Sequence, residues 1–259
     1  MIEQHNGVVA AGDWHGNKRY ALAAIAYTDG LGCKTIVHTG DFGYHFGTEF
    51  LDDLNKELAK RDMYLYFVDG NHENFHVLYT YEIAEDGTRP LRDRVIHLPR
   101  GFRWDWNGET WLALGGAVSV DKDWRVPGQE WWSEEQLSFG DVLTATRAKA
   151  DIMIAHDCPS RVEISVIQGN PHGFPAHTVR EADAHRDTMQ LVVDEVKPSL
   201  FIHGHYHHKY SEILMGEDYF TEVHGLDCDG GPFKNNIMIV RKRVDDSTEI
   251  EEGDEESSV

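Results

Sequence analysis

Short apolar runs and helix-period patterns alternate along the first third of the chain. The runs predict three buried strands, at 8–11, 35–38 and 64–68. Between the runs, apolar residues recur with helical spacing and predict helices, at 18–29 and 49–60. Strand–helix–strand alternation predicts a parallel sheet, and ligands bind such sheets beyond the carboxyl ends of the strands. The pattern therefore predicts an α/β fold with a site at that edge.

The pattern changes after residue 100. Asn107-Gly108 separates two aromatic-rich segments and predicts a β-hairpin. Two segments with the spacing of a capping box, beginning at Ser133 and Thr178, predict helix starts, and the second helix is expected to end near Val196. The remaining apolar runs predict two buried strands, a hairpin and a final strand, at 152–155, 200–202, 211–223 and 236–240.

Side chains that can bind a metal ion follow the predicted strands closely. There are seven of them: Asp13, His15, Asp41, Asn71, His156, His205 and His207. Because the strand ends of one parallel sheet lie close together, we expect these donors to converge on one rim. Imidazole together with carboxylate suits Mn²⁺, Fe, Zn²⁺, Ni²⁺ or Co²⁺ better than Ca²⁺. Seven donors would serve two divalent cations if one carboxylate bridges them.

These residues carry a resemblance to a known family. Asp13-x-His15, Gly40-Asp41, Gly70-Asn71-His72-Glu73, His156 and Gly204-His205-x-His207 together resemble the signature of the calcineurin-like metallophosphoesterases. The resemblance spans roughly residues 8–210 and implies a four-layer αββα sandwich. It also implies a centre of two divalent cations, with Mn²⁺ favoured.

By this resemblance, each residue of the signature receives a role. One cation would be held by Asp13, His15, Asp41 and His207. The other would be held by Asp41, Asn71, His156 and His205, so that Asp41 bridges. A hydroxide between the cations would attack the phosphoester. His72 would protonate the leaving oxygen, and Asn71 would also contact the substrate.

The sequence departs from two branches of this superfamily near Asp41. Tyr44 and His45 stand where protein Ser/Thr phosphatases have an aspartate and a phosphate-binding arginine, which counts against a phosphoprotein phosphatase. The spacing of Asp41 and Tyr44 also resembles the purple acid phosphatases, whose tyrosine binds ferric iron. Because His15 is available as a ligand, we interpret Tyr44 as a packing or rim residue.

Tryptophans are concentrated between residues 104 and 132. Trp104, Trp106 and Trp111 are expected in the core. Trp124 and Arg125 lie in a polar loop, and our hypothesis is that this loop covers the site. Trp124 would then stack on a base and Arg125 would bind phosphate.

Three further residues lie near the signature or on a predicted helix. Glu73 and Asp157 adjoin candidate ligands and can be either partners of those ligands or solvated charges. His185 is expected on the surface of the second capped helix.

Charge limits the partners that the chain can bind. It has 259 residues with 45 acidic and 24 basic side chains, for a net charge of -21. Long nucleic acids are therefore unexpected partners, because their backbones are bound mainly through Lys and Arg. Residues 245–259 are rich in acids without Lys or Arg and predict a disordered tail after one domain over 1–244.

The chain shows no signal for export or membrane insertion. It begins without a basic and then apolar segment, and no apolar run reaches the length of a membrane span. We therefore expect a cytoplasmic protein that does not associate with membranes.

The leading functional hypothesis is a phosphodiesterase for small substrates such as cyclic nucleotides. One alternative is a phosphomonoesterase acting on nucleotides or other small molecules, and another is a nuclease. A metal-free binding scaffold on the same fold is least favoured, because every expected ligand is present. The sequence indicates no specific protein partner.

Overall fold

The strands form two sheets of six. The computed structural model describes residues 7–241. The first sheet contains β1 Val8–Ala11, β2 Thr35–His38, β3 Tyr64–Phe67, β4 Arg89–Arg92, β5 Val95–His97 and β12 Ile237–Arg241. The second contains β6 Arg103–Trp106, β7 Glu109–Leu114, β8 Ile152–Ala155, β9 Leu200–His203, β10 Tyr210–Met215 and β11 Phe220–Gly225. Their spatial orders are β12-β1-β2-β3-β5-β4 and β10-β11-β9-β8-β7-β6.

Each sheet has a parallel centre and antiparallel edges. Strands β1, β2, β3 and β5 run parallel, and β12 and β4 pair antiparallel at the two edges. In the second sheet β7, β8, β9 and β11 run parallel between the antiparallel edges β6 and β10. The parallel order of the first strands and the hairpin at Asn107-Gly108 confirm the sequence predictions.

Helices cover the outer face of each sheet. The described helices are α1 Lys18–Gly30, α2 Thr48–Lys60, α3 Phe75–Leu78, α4 Phe139–Ala145, α5 Ala176–Val196 and α6 Phe233–Asn236. Leu54 of α2 packs with Ile36 of β2 on one side of the first sheet, and Met189 of α5 packs with Phe201 of β9 on the far side of the second.

Side-chain alternation builds a third apolar layer between the sheets. Val37, next to Ile36 on β2, faces the second sheet and packs in a cluster with Trp104, Trp106 and Trp111. These tryptophans are buried, as predicted. With helices outside both sheets, the architecture is the expected four-layer αββα sandwich.

Both predicted capping boxes are wrong. Residues Ser133–Glu135 form only a short 3₁₀ turn, and α4 begins later, with Ser138 as its N-cap. The backbone carbonyls of residues 134–136 accept hydrogen bonds from Arg100 instead of continuing a helix. The second helix begins at Ala176, before Thr178.

The structure also corrects the predictions for Glu181 and His185, and it contains an edge pair of strands that the sequence did not predict. Glu181, which would complete the second capping box, pairs instead with Lys122. His185 is buried and not on the helix surface, because its Nδ1 donates to Asp157 Oδ2 at 2.6 Å. The edge pair β4–β5 was not predicted, since the Arg89–Arg92 strand has no apolar alternation.

The remaining predictions of this kind concern membrane spans and the acidic tail. None of the helices within residues 7–241 has the length and apolar composition needed to cross a bilayer. The acidic tail at 245–259 lies outside the described residues.

Candidate metal centre

The candidate ligands meet where the carboxyl ends of both sheets adjoin. The first sheet supplies Asp13 and His15 after β1, Asp41 after β2, and Asn71 after β3. The second sheet supplies three imidazoles: His156 follows β8, and His205 and His207 follow β9. The seam between two parallel-centred sheets therefore brings together donors that lie far apart in the sequence.

Two buried aspartates form the middle of the group. Asp13 and Asp41 are 0% and 1% exposed. Two sets of donor atoms lie within 4.8 Å of one another: Asp13 with His15 and His207, and Asp13 with Asp41 and His156.

Individual distances extend this group to all seven residues. His207 Nε2 lies 3.2 Å from Asp13 Oδ2, and His15 Nε2 lies 3.6 Å from Asp41 Oδ2. His156 Nε2 lies 3.4 Å from Asp41 Oδ1 and 3.0 Å from Asn71 Oδ1. The His205 ring lies 5.0 Å from that of His156, measured between centroids.

Hydrogen bonds on the far side of two imidazoles set their orientation. His156 Nδ1 donates to the carbonyl of Thr39 at 2.8 Å, which directs Nε2 toward the aspartates. His15 Nδ1 donates to Asp229 Oδ1 at 2.7 Å, so its Nε2 also faces inward. Both imidazoles are thus held in the orientation in which Nε2, once deprotonated, can bind a cation.

The amide of Asn71 is fixed by a buried hydroxyl. Asn71 Nδ2 donates to Ser119 Oγ at 2.9 Å, which turns Oδ1 toward His156. Ser119 Oγ donates in turn to Glu135 Oε2 at 2.7 Å. The sequence interpretation missed Ser119, Glu135 and Asp229, because they lie outside the signature and become neighbours only through the fold.

Backbone amides hold the two aspartates. The N–H groups of Asn71 and His72 donate to Asp41 Oδ1 at 3.0 and 2.9 Å. The N–H of His205 donates to Asp13 Oδ2 at 3.0 Å. A Cβ at the preceding glycines would stand 2.1 Å from Asp41 Oδ1 at Gly70 and 2.0 Å from Asp13 Oδ1 at Gly204. Glycine before these ligands is therefore a steric requirement.

The backbone itself is strained at the site. His15, Asp41, His205 and His207 have φ values of 49°, 52°, 70° and 50°. A left-handed conformation costs a residue with a Cβ about 1–2 kcal/mol, and such residues cluster at functional sites. The strain at four candidate ligands is an indication of function that does not depend on the motif.

The charge of the site suits divalent cations. Burial lowers the pKa of the three histidines beside the aspartates, but the carboxylates of Asp13 and Asp41 more than offset it. The pKa rises to about 9 for His15, about 10 for His156 and about 11 for His207. Without metal, the three histidines thus carry protons that the two ionised carboxylates stabilise, and a divalent cation would take the place of those protons. Mixed oxygen and nitrogen donors, inward-facing Nε2 atoms and excess negative charge fit a metal centre.

His72 lies at the edge of this group, in contact with Arg125. His72 Nε2 is 3.8 Å from Asp41 Oδ2. The two Nη atoms of Arg125 lie 3.0 Å from the two ring nitrogens of His72, and Arg125 also bonds Asp121 at 2.9 Å. Trp124 lies further out, 65% exposed, with its ring 5.6 Å from that of Phe174. Of the two loop residues, Arg125 alone reaches the candidate site directly.

Tyr44 and Glu73 lie beside the candidate ligands and contact the loops that carry them. The Tyr44 ring lies between His15 and His72, at centroid distances of 5.7 and 5.2 Å, in a rim position. Glu73 is buried and accepts from the N–H groups of Phe42 and Gly70, each at 2.6 Å. Glu73 is therefore a partner of the site loops and not a solvated charge.

Asp157 is buried as well. It accepts hydrogen bonds from His185 and, at 2.5 Å, from the hydroxyl of Tyr206. It thus fixes the segments that carry His156 and His205, and it is not solvated either.

The calcineurin-like phosphoesterase family model matches residues 7–209. The chain belongs to this family. The match covers the segment that contains every candidate ligand, and membership implies a metal-dependent phosphoric ester hydrolase. No curated protein matches this calcineurin-like phosphoesterase.

Solved structures resemble this family member at low identity. TT1561 of Thermus thermophilus is 12% identical, with a TM-score of 0.45 over 87% of this chain and 90% of that chain. GAP50, the anchor in the inner membrane complex of Plasmodium, is 11% identical, with a TM-score of 0.43 over 84% of this chain and 70% of that chain. A third crystal structure is 13% identical, with a TM-score of 0.52 over 90% of this chain and 95% of that chain. This third likeness supports the fold alone.

Proposed function

We propose that this phosphoesterase hydrolyses small phosphodiesters, such as cyclic nucleotides, with two divalent cations, of which Mn²⁺ is the favoured metal. The observation that carries the proposal is the pair of buried aspartates, Asp13 and Asp41, with imidazoles oriented toward them and His72 at the edge. Asp13, His15, Asp41 and His207 would hold one cation. Asp41, Asn71, His156 and His205 would hold the other.

Bound cations would supply positive charge for the phosphate and lower the pKa of a water molecule. The protein residues supply geometry. Asp41 is held by two backbone amides, and Asn71 by Ser119, so neither side chain needs to rearrange when substrate arrives. Preorganised donors of this kind contribute to catalysis because they need no reorganisation during reaction.

His72 is the proposed proton donor to the leaving oxygen. Burial lowers its pKa, Asp41 opposes this, and the positive charge of Arg125 lowers it further. A phosphate is a stronger partner for a guanidinium than a neutral imidazole is. When substrate arrives, Arg125 would turn to the phosphate and release His72 to carry a proton. Arg125 and Asn71 are thus the proposed substrate-binding groups, and Trp124 stays a prediction for base stacking.

Charge favours a diester over a polyanion. The chain carries a net charge of -21. The arginine closest to His72 is already paired with Asp121. A phosphodiester has one negative charge, whereas a nucleic acid needs many basic contacts.

The test compares hydrolysis of bis(p-nitrophenyl) phosphate and p-nitrophenyl phosphate with added Mn²⁺. We expect the diester to have the higher kcat/KM, and Asp41→Ala and Asn71→Ala to abolish turnover. His72→Ala should lower kcat by roughly 10²–10⁴-fold. His45→Ala is the matched control, because His45 is exposed on the loop after Asp41. Preference for the monoester would refute the diester proposal, and no turnover with Mn²⁺, Ni²⁺, Co²⁺ or Zn²⁺ would refute hydrolysis.

A further inference from the structure

A cavity of about 470 Å³ opens beside the candidate metal centre. Asp41, Asn71 and His72 line one end. The other end is lined by residues from the segment 166–186, which comprises the loop after β8 and the first turns of α5. The volume lies in the range of small-molecule sites, roughly 300–1,000 Å³.

The end lined by the segment 166–186 is mainly apolar, and it also carries the polar side chains of Asn170, His172, Asp183 and Arg186. Its lining includes five hydrocarbon or aromatic side chains: Val166, Ile167, Phe174, Val179 and Ala182. Apolar surface at a binding site favours an organic group that loses its water when it enters. The cavity thus combines a charged end for a phosphate with an apolar end for something attached to it.

Three contacts join the apolar wall to the loop that carries Arg125. Lys122 pairs with Glu181 on α5. Asp123 Oδ2 lies 2.9 Å from His177 Nε2. The rings of Trp124 and Phe174 lie 5.6 Å apart. The wall is therefore held at a defined distance from the arginine that contacts His72.

The charged side chains of the cavity disfavour a second phosphate. Asp121 and Asp183 contribute carboxylates to the lining. Arg125 is paired with Asp121, and Arg186 donates to the backbone carbonyls of Cys158, Pro159 and Val162. Arg125 is proposed to bind the first phosphate and Arg186 is engaged by backbone carbonyls, so neither lining arginine is left for a second phosphate.

We propose that this cavity binds one uncharged aromatic group, of about the size of a nucleobase, attached to the phosphate of the substrate. The inference rests on the proposed function and names its specificity. The wall of Ile167, Phe174 and Ala182 is the specificity-determining surface. Substrates with a small alkyl group or with a further phosphate in that place bind less tightly.

The test measures binding, which does not require turnover. Calorimetric titration of the Mn²⁺-loaded protein would compare phenyl methylphosphonate with methyl methylphosphonate, two anions of the same charge. We expect the phenyl ester to bind at least tenfold more tightly. Ala182→Trp fills the apolar end and should remove this preference while methyl binding changes less than twofold. Ala184→Trp is the matched control, since Ala184 is exposed on the same helix.

A second variant tests the same wall independently, in case Ala182→Trp does not fold. Phe174→Ala removes part of the wall and should weaken phenyl binding several-fold while methyl binding stays unchanged. Equal affinity of the wild type for the two esters, or a preference that survives both substitutions, would overturn the inference. Phenyl preference without hydrolysis of either nitrophenyl ester would support the cavity and refute the proposed function.

Discussion

The Ser119→Ala substitution tests how the candidate metal centre is held in place. Ser119 is 2% exposed, and its hydroxyl joins Asn71 Nδ2 to Glu135 Oε2. Alanine would leave both of these buried atoms without their partner. One unsatisfied buried polar group costs about 1–3 kcal/mol. We therefore expect the free energy of unfolding of the metal-free protein to fall by about 2–6 kcal/mol, twice the cost of one such group.

The same substitution should weaken one cation more than the other. Loss of an outer partner of a ligand lowers metal affinity by about 10–100-fold, or about 1.4–2.7 kcal/mol at 1.36 kcal/mol per factor of ten. The affected cation is the one that Asn71 is proposed to hold. Ser119 has no described hydrogen bond to the residues that would hold the other cation, so the affinity for that cation should change less than threefold.

Two assays measure these effects separately. Urea unfolding of the metal-free protein gives the stability, and calorimetric titration with Mn²⁺ gives the two affinities. Ser133→Ala is the control, because Ser133 is exposed and its hydroxyl bonds only the neighbouring Glu134 among the described contacts. It should change the stability by less than about 0.5 kcal/mol. Two unchanged Mn²⁺ affinities in Ser119→Ala would refute the argument that Ser119 positions the amide.

Three further predictions concern other partners of the site. Asp229→Ala should lower the affinity for one Mn²⁺ by about 10–100-fold, because His15 loses its Nδ1 partner. Asp229→Asn keeps an acceptor for that nitrogen, so the loss of affinity should be smaller in the same calorimetric titration. Equal losses in the two variants would contradict this prediction. Arg100 Nη2 lies 2.6 Å from Oδ2 of the buried Asp69, and Arg100→Met would leave that carboxylate with His97 as its described side-chain partner. Urea unfolding should therefore show a loss of about 3–5 kcal/mol in the free energy of unfolding. A loss below about 1 kcal/mol would count against this prediction. Burial raises the pKa of Glu135 from 4.5 to about 7, so the folded protein retains a proton that the unfolded chain releases, and the contribution of Glu135 to stability falls as pH rises through that window. Between pH 5 and pH 8 the free energy of unfolding of the wild type should fall by up to about 3 kcal/mol more than that of Glu135→Gln. Parallel curves of unfolding free energy against pH would refute this.

Much of the fold was predictable because its strands are short apolar runs followed by polar residues. The runs at β1, β2, β3, β8 and β9 have every residue or all but one buried. The hairpin followed from Asn107-Gly108, whose residues both adopt positive φ, at 55° and 78°. Local sequence thus determines these elements, and the family resemblance indicated how they are layered.

The wrong predictions arose where a side chain distant in the sequence binds groups that the local pattern assigns to a helix cap or to the surface. Ser133 has the spacing of a helix cap, but Arg100 takes the carbonyls that a helix would need. Glu181 has the position of a capping partner, but Lys122 takes its carboxylate. His185 lacks an obvious apolar context, yet Asp157 makes its burial possible. In each case the deciding partner is more than 25 residues away in the sequence and could not be found from spacing.

The candidate site divides in the same way. Its ligands stand directly after apolar strands and were visible in the sequence, whereas Asp229 and Ser119, which orient His15 and Asn71, were not. The distinction has a physical reason. The candidate ligands lie at strand ends, and the local pattern of apolar runs reveals where strands end. The residues that orient these ligands only need to lie near them in the folded structure, so no local pattern marks them.

The fold also maintains unfavourable features at this site, and their combination bears on function. Asp13 and Asp41 are buried beside each other, and four candidate ligands have left-handed backbone conformations. Each feature lowers the stability of the metal-free protein, and stability alone gives no reason to retain them. Divalent cations would neutralise the carboxylates and bind the strained residues in the positions they already occupy. Because the backbone amides hold Asp13 and Asp41 without metal, removal of metal should lower the unfolding temperature but leave the sandwich folded.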